Sequence, residues 1–357
     1  MKNVNKKVIV AMSGGVDSSV AAALLKKQGY FVIGIFMKFW KDPSADSGQS
    51  GENRCCSVES EKIARLSAKK IDIPFYVVNA EKEFKKAVVN YFLDEYKKGN
   101  TPNPCVLCNR EIKFGLLMQT ALKLGADFLA TGHYVQIKDG KMFAGSDKEK
   151  DQSYFLWMLK PPHVLRLKFP VGALNKTKVR ALAREFGLPA AESPESQEVC
   201  FISGKTNDFL KKYLKKLPGR IVDMRGRTIG EHEGLWFYTI GQRRGLSLDQ
   251  KSAFKNSHGS TKPYFVAGKD FKKNLLVVSN DQSDLLKKEV ALKNVNLLSG
   301  QKYPFRAKVK IRYRQKPADA VISRNKIVFS KPQKGVTPGQ SAVFYINKEM
   351  IGGGIIR

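Results

Sequence analysis

Apolar runs alternate with helical patterns along the first third of the chain, and this alternation restricts the fold more than any other feature. Lys7–Met12 (KVIVAM), Phe31–Phe36 (FVIGIF), Phe75–Asn79 (FYVVN) and Asp127–Thr131 read as strands. Asp17–Gln28, Ser57–Ile71, Glu81–Lys98 and Ile112–Leu124 read as helices between them. The strands are continuously apolar, so both of their faces are covered, as in a parallel sheet with helices on each side. Ligands of such sheets bind at the carboxyl ends of the strands. The polar, Gly/Ser-rich stretch Ser44–Arg54 reads as a mobile connection. Near residue 205 the pattern changes. Phe209–Leu217 is a short basic helix stopped by Pro218-Gly219, and short alternating runs separated by Gly, Asn and Asp then predict β-structure, dividing again around residues 274–290.

The charge is lopsided: 63 Lys+Arg against 32 Asp+Glu give a net +31. Such a surface draws polyanions, because each neutralised phosphate releases counterions. Five cysteines in 357 residues are too few for a disulfide scaffold. The first residues show no signal-peptide core, and no apolar run approaches the ~20 residues that span a bilayer. A cytoplasmic, multidomain protein without membrane association is expected.

Ser13-Gly14-Gly15-Val16-Asp17-Ser18-Ser19 falls between the first strand and the first helix. Two glycines allow a tight turn and close approach to a ligand, while the following amides and the helix N-terminus present donors to phosphate. Asp17 can hold Mg²⁺ against pyrophosphate. A Walker-type loop would need Gly-Lys-Ser/Thr, which is absent. The loop resembles that of the ATP pyrophosphatases, which cleave ATP to AMP and pyrophosphate; the resemblance implies adenylation of an oxygen.

Thr101-Pro102-Asn103-Pro104-Cys105-Val106-Leu107-Cys108-Asn109 reads as a Pro-rich loop before a helix, a setting that favours thiolate. Cys200 lies in the apolar run Val199-Cys200-Phe201-Ile202, where a cysteine is ordinarily core. Half of a zinc site is an alternative for the Cys-x-x-Cys, but Cys55 and Cys56 are badly spaced to complete it and read as structural. A thioredoxin-type redox pair would leave the nucleotide loop unexplained.

Taken together, eight stretches resemble the bacterial tRNA-specific 2-thiouridylases in chain order. They are SGGVDSS, TPNPCVLCNREIKF, ATGHY, KDQSYFL, ESQEVCFI, YTIGQRRGL, KIRYR and TPGQSAVFY. The resemblance implies an α/β parallel-sheet PP-loop domain (adenine nucleotide alpha hydrolase-like) over residues 1–205. A central β-rich domain over 206–275 and a small C-terminal β-barrel over 276–357 would follow it. ATP would lie on Ala11, Met12, Ser13, Gly14, Gly15, Val16, Asp17 and Ser18, with Met37 and Gly132 near the adenosine. Cys200 would carry persulfide sulfur, and Cys108 would be the second thiol, ending in a Cys108–Cys200 disulfide. Asn103, Pro104 and Cys105 would touch the target base. His133, Lys150, Asp151, Gln152, Arg312, Tyr313 and Gln340 would contact tRNA. The implied partners are the wobble-uridine tRNAs for Glu, Gln and Lys and a sulfur donor, a cysteine desulfurase or relay protein. Many members carry an acidic residue where Cys105 stands. Three thiols at 105, 108 and 200 would suffice to ligate a [4Fe-4S] cluster with one iron open, so persulfide and cluster routes both stand.

Phe305–Lys316 (FRAKVKIRYRQK) places Arg306, Lys308, Lys310, Arg312, Arg314 and Lys316 at every second position, which on one strand would form a basic face for the RNA backbone. Residues 302–334 hold eleven Lys/Arg and one acid, Asp319, so charges of mixed sign do not explain this face. His163, His232 and His258 have no ligand spacing and read as structural. Two competing functions remain at this level: a small-molecule adenylating ligase resembling argininosuccinate synthetase, and a non-catalytic RNA-binding module.

Overall fold

The computed structural model describes residues 6–43, 57–194, 199–202, 204–249 and 262–357. Ser44–Arg54, Cys55, Cys56, residues 195–198 and His258 lie outside them. Strands β1 (Lys7–Ala11), β2 (Phe31–Lys38), β3 (Phe75–Asn79) and β4 (Phe128–Ala130) form a parallel sheet in the order β3-β2-β1-β4, extended beyond β4 by Leu167–Lys168. β1 is central and fully covered, with Val8, Ile9 and Val10 at 0% exposure, which explains its uninterrupted apolar sequence. Helix α1 (Val16–Lys27) packs close through Ala21, Ala22 and Ala23. Helix α2 (Val58–Lys70) is capped by Ser57, whose Oγ accepts the Ser60 N–H at 3.0 Å. Strand order reverses direction between β1 and β4, so the crevice at their carboxyl ends is where a ligand fits.

The expected helix at Ile112 begins instead at Pro104 and runs as Pro104–Leu107, a π-helical stretch Cys108–Leu116, and Leu117–Lys123. Proline is well placed at a first helical position, where its missing N–H costs nothing, although in a sequence it reads as a loop. Cys105 and Cys108 are therefore helical residues. The basic run is also shorter than expected: the strand is Phe305–Lys310, and Arg312–Gln315 turn away from it.

The central domain is a five-stranded sheet of Gly219–Val222, Thr228–His232, Ser247–Leu248, Phe265–Asp270 and Leu275–Ser279. In the C-terminal sheet Leu286–Leu297 pairs both with Lys326–Lys334 and with Glu349–Ile356, closing a six-stranded barrel around Val290, Ile322, Phe329 and Phe344. A hairpin from the α/β domain, Val135–Lys138 with Lys141–Ala144, extends that sheet through the pair Glu349↔Phe143. Trp157, fully buried, lies against Gly353, where any Cβ would stand 2.7 Å from its ring. Asn296 Nδ2 donates to the Trp157 and Leu159 carbonyls at 2.6 and 3.0 Å. The barrel is thus joined to the α/β domain by sheet, core and hydrogen bonds together. Among the described residues no helix is long and apolar enough to cross a membrane.

Candidate functional site

The Ser13–Ser19 loop is braced from within. Ser18 Oγ accepts the Ser13 N–H and donates to the Gly15 carbonyl, both at 3.1 Å, and Ser19 Oγ donates to the same carbonyl at 3.1 Å. Gly14 has φ +77°, and a Cβ there would meet the Ser60 carbonyl oxygen at 2.2 Å. Gly132, just past β4, passes so close that its Cβ would lie 2.6 Å from Asp17 C and Ser18 N. The sheet crevice therefore joins the loop to Gly132 by backbone contact; Met12, Val16 and Met37 are buried and Ala11 is half-buried.

Asp17 is fully engaged. Lys176 Nζ donates to both of its oxygens at 2.7 and 2.8 Å, and the Tyr134 hydroxyl donates at 2.7 Å. Sequence reasoning placed neither partner here. The one local signal for Lys176 is its position at the start of the helix Lys176–Glu185, the end of a helix that disfavours a cation.

The loop expected to meet the base is held by all three domains. Thr101 N–H donates to the Pro338 carbonyl at 2.8 Å, and Gln340 Nε2 donates to the Thr101 carbonyl at 2.7 Å. Thr101 Oγ1 meets Thr239 Oγ1 at 3.1 Å, and Lys269 Nζ donates to the Gly99 carbonyl at 2.9 Å. Burial pushes the Lys269 amine down to about 8. Burial also pushes the Glu95 carboxyl up, but the Asn100 amide, Lys293 and Lys98 outweigh it and hold the acid below its ordinary value. Asn103 is hydrogen-bonded to the Tyr154 hydroxyl. Pro104 is buried, Cys105 half-buried, Cys108 buried at 6% exposure, and Cys200 half-buried against the same apolar cluster. Phe201 stands edge-on to Phe84, Phe92 and Phe209, fixing the strip that carries Cys200. Among the described residues no group of three or more His, Cys, Asp or Glu is arranged to hold a metal ion.

Most residues expected on tRNA are used inside the protein. Asp151, 5% exposed, accepts from Lys310 Nζ at 3.1 Å and from the Gly145 and Ser153 N–H groups. Gln152 accepts the Tyr134 N–H at 3.0 Å, and Arg312 donates to the Gly335 carbonyl at 3.0 Å. Tyr313 packs on Phe155, with ring centroids 4.5 Å apart. His133 is 9% exposed between Phe114 and Phe169, its Nδ1 2.6 Å from Thr131 Oγ1, and burial holds its pKa well below the ordinary value. Lys308 of the basic strand pairs with Asp319 at 3.0 Å. Arg306, Arg312, Arg314 and Lys316 are exposed, and Lys150 is half-buried.

The Gly-rich loop at the switch point of a parallel sheet, with the segment leading into the cysteine-bearing helix held by two β-domains, defines a nucleotide-binding α/β protein with two appended β-domains. Three family descriptions match in the same order: the tRNA methyl transferase HUP domain over residues 6–204, the tRNA methyl transferase PRC-barrel domain over 207–280, and the aminomethyltransferase beta-barrel domain over 287–356. The chain is 43% identical to the tRNA-specific 2-thiouridylase MnmA of Carboxydothermus hydrogenoformans, covering 98% of this chain and 97% of that protein. It is 42% identical to the tRNA-specific 2-thiouridylase MnmA of Thermus thermophilus, covering 99% and 95%. The chain belongs to the tRNA-specific 2-thiouridylase family.

Proposed function

We propose that this protein is a tRNA sulfurtransferase that uses ATP to exchange the 2-oxygen of the wobble uridine for sulfur, in tRNAs such as those for Glu, Gln and Lys. One observation carries the reading: Gly132 seats the nucleotide loop in the sheet crevice, while the chain just before Cys105 and Cys108 is clamped by both β-domains. A small-molecule ligase would have no use for that clamp, and a passive RNA-binding module would have none for the loop.

Uridine O2 attacks the α-phosphorus and pyrophosphate leaves. The outer sulfur of a Cys200 persulfide then attacks C2, the C2–O bond breaks and AMP departs. The Cys108 thiolate attacks Cys200 Sγ, the S–S bond to the base breaks, C2 keeps its sulfur, and a Cys108–Cys200 disulfide is left for a cellular thiol to reduce. A cysteine desulfurase or relay protein would load Cys200. Mg²⁺ fits the loop, because it takes one or two carboxylates and completes its shell with phosphate and water; Asp17 would hold it, and it would neutralise the leaving pyrophosphate. The loop amides and the α1 N-terminus orient the phosphates, Asn103 to Cys105 border the base, and the exposed cations of the barrel hold the RNA backbone. The base must leave its stack to reach Cys200.

Incubation of the reduced protein with ATP, a cysteine desulfurase and unmodified tRNA should yield 2-thiouridine by nucleoside mass spectrometry. AMP formed only with a small-molecule acceptor, and no thiolated nucleoside in any tRNA, would refute the assignment.

A further inference from the structure

The nucleotide loop Ser13–Ser19 contains no cation of its own. Its amides and the N-terminus of α1 offer partial charges only, yet pyrophosphate is a compact polyanion that must be held as it leaves. Lys176 brings a full charge to this place. Its Nζ lies 2.7 and 2.8 Å from the two Asp17 oxygens, and the side chain is 13% exposed.

The helix that carries this lysine does not need it. The helix start at Lys176 already has two acceptors: Asn175 Oδ1 takes the Lys178 N–H at 2.8 Å, and Asp147 takes the Lys176 N–H at 3.0 Å. A cation here opposes the helix dipole, and a solvated stem would ease the conflict. Instead the side chain turns inward past the Tyr134 ring, 5.8 Å from its centroid, to the carboxylate that the Tyr134 hydroxyl also holds. Tyr134 thus braces both members of the pair.

We propose that Lys176 is a catalytic residue, the cation that grips the β- and γ-phosphates of ATP and the departing pyrophosphate, with Asp17 as its counter-ion while the loop is empty. The inference rests on the reading of the loop as the ATP site. Nucleotide binding exchanges partners: the ammonium passes to phosphate and Asp17 turns to the Mg²⁺ that enters with ATP. Neither partly buried charge is left without an opposite one, which avoids the cost of stranding it.

The test is calorimetric binding of ATP, pyrophosphate and AMP, each with Mg²⁺, to the full-length wild type, Lys176→Met and Lys176→Arg. Lys176→Met should weaken ATP and pyrophosphate about tenfold to a hundredfold, the worth of a charge-assisted hydrogen bond. AMP should stay within about twofold, and Lys176→Arg should recover most of the ATP affinity. Equal losses for ATP and AMP would reduce Lys176 to a brace for Asp17 and overturn the proposal, as would unchanged ATP affinity. A wild type that binds no ATP would remove the ATP-site reading itself. If Lys176→Met fails to fold, the double variant Asp17→Asn/Lys176→Met is compared with Asp17→Asn alone: a further loss for pyrophosphate but not for AMP supports the proposal, and equal affinities in the two variants overturn it.

Discussion

The Gln340 side-chain amide donates to the Thr101 carbonyl at 2.7 Å, tying the last β-domain to the loop that leads into the cysteine-bearing helix. The return bond, Thr101 N–H to the Pro338 carbonyl, makes the joint reciprocal, and a Cβ at Gly339 would stand 2.9 Å from Asn100. Whatever moves the barrel moves Asn103 and Cys105. On the proposed function, RNA docking on the barrel would set the position of the loop at Asn103–Cys105 without touching it.

Gln340→Leu tests this coupling. The joint loses a hydrogen bond worth about 1 kcal/mol, so single-turnover thiolation should fall about fivefold. The tRNA affinity should change less than about twofold, because the amide faces Thr101 and not the ligand. Rapid-quench thiolation beside filter binding separates the two. An affinity loss equal to the rate loss would place Gln340 on the RNA.

Arg314 and Arg312, neighbours in the basic run, should behave differently. Both are exposed, but Arg314 lies over the Tyr313 ring with no carbonyl among the described residues to hold it, whereas Arg312 donates to the buried Gly335 carbonyl. Arg314→Glu should weaken tRNA binding and reduce the slope of log affinity against log salt by roughly 0.7–0.9 for each phosphate no longer neutralised, with melting temperature and ATP binding unchanged. Arg312→Ala should cost about 1–2 kcal/mol of stability. A salt series and thermal melts on both variants check the contrast, and identical salt slopes in wild type and Arg314→Glu would end the docking role.

The central strands could be read from sequence because a parallel strand buried on both faces has no polar positions to disguise it, as Val8–Val10 illustrate. The glycine turn after β1 was legible for a similar reason: only glycine tolerates φ +77° against the Ser60 carbonyl. What escaped were relationships between distant positions. Period two in Phe305–Lys316 reports which side chains face out, but not that Lys310 reaches Asp151 or that the strand ends there. The hairpin at Val135–Ala144 carries no mark of its pairing with Glu349. Pro104 reads as a loop residue although it starts a helix, and Lys176 resembles any other lysine of a basic chain.

Gly132→Ala should disable the nucleotide site alone. Its methyl would be driven to 2.6 Å from backbone atoms of Asp17 and Ser18, which cannot yield as a flexible side chain would. Overpacking of this kind costs about 1–3 kcal/mol, and displacement of the loop should weaken ATP at least about tenfold. Affinity for tRNA should be retained, since the joint with the barrel lies elsewhere. Calorimetry with ATP and filter binding with tRNA check this, and wild-type ATP affinity would show that the loop does not depend on its seat against Gly132.

His133 should make the fold acid-sensitive. Burial first, and then the Lys113 charge, hold its folded pKa well below the ordinary value, so the folded protein keeps the ring neutral. Below about pH 6.5 the unfolded chain binds a proton that the folded one refuses, and stability falls as pH falls, by up to about 1.4 kcal/mol per unit for this group. Burial also lowers His163 and His232, so the variant must isolate one ring. His133→Asn should be less stable than wild type at pH 8, and the gap between them should narrow steadily from pH 6.5 to 5 as the wild type alone loses this contribution. Denaturant unfolding of both proteins across that range measures it. A gap constant with pH would mean that the folded ring takes up its proton normally; a gap that narrows means that His133 brings no positive charge to RNA at neutral pH, leaving exposed cations such as Arg306, Arg312, Arg314 and Lys316 to supply it.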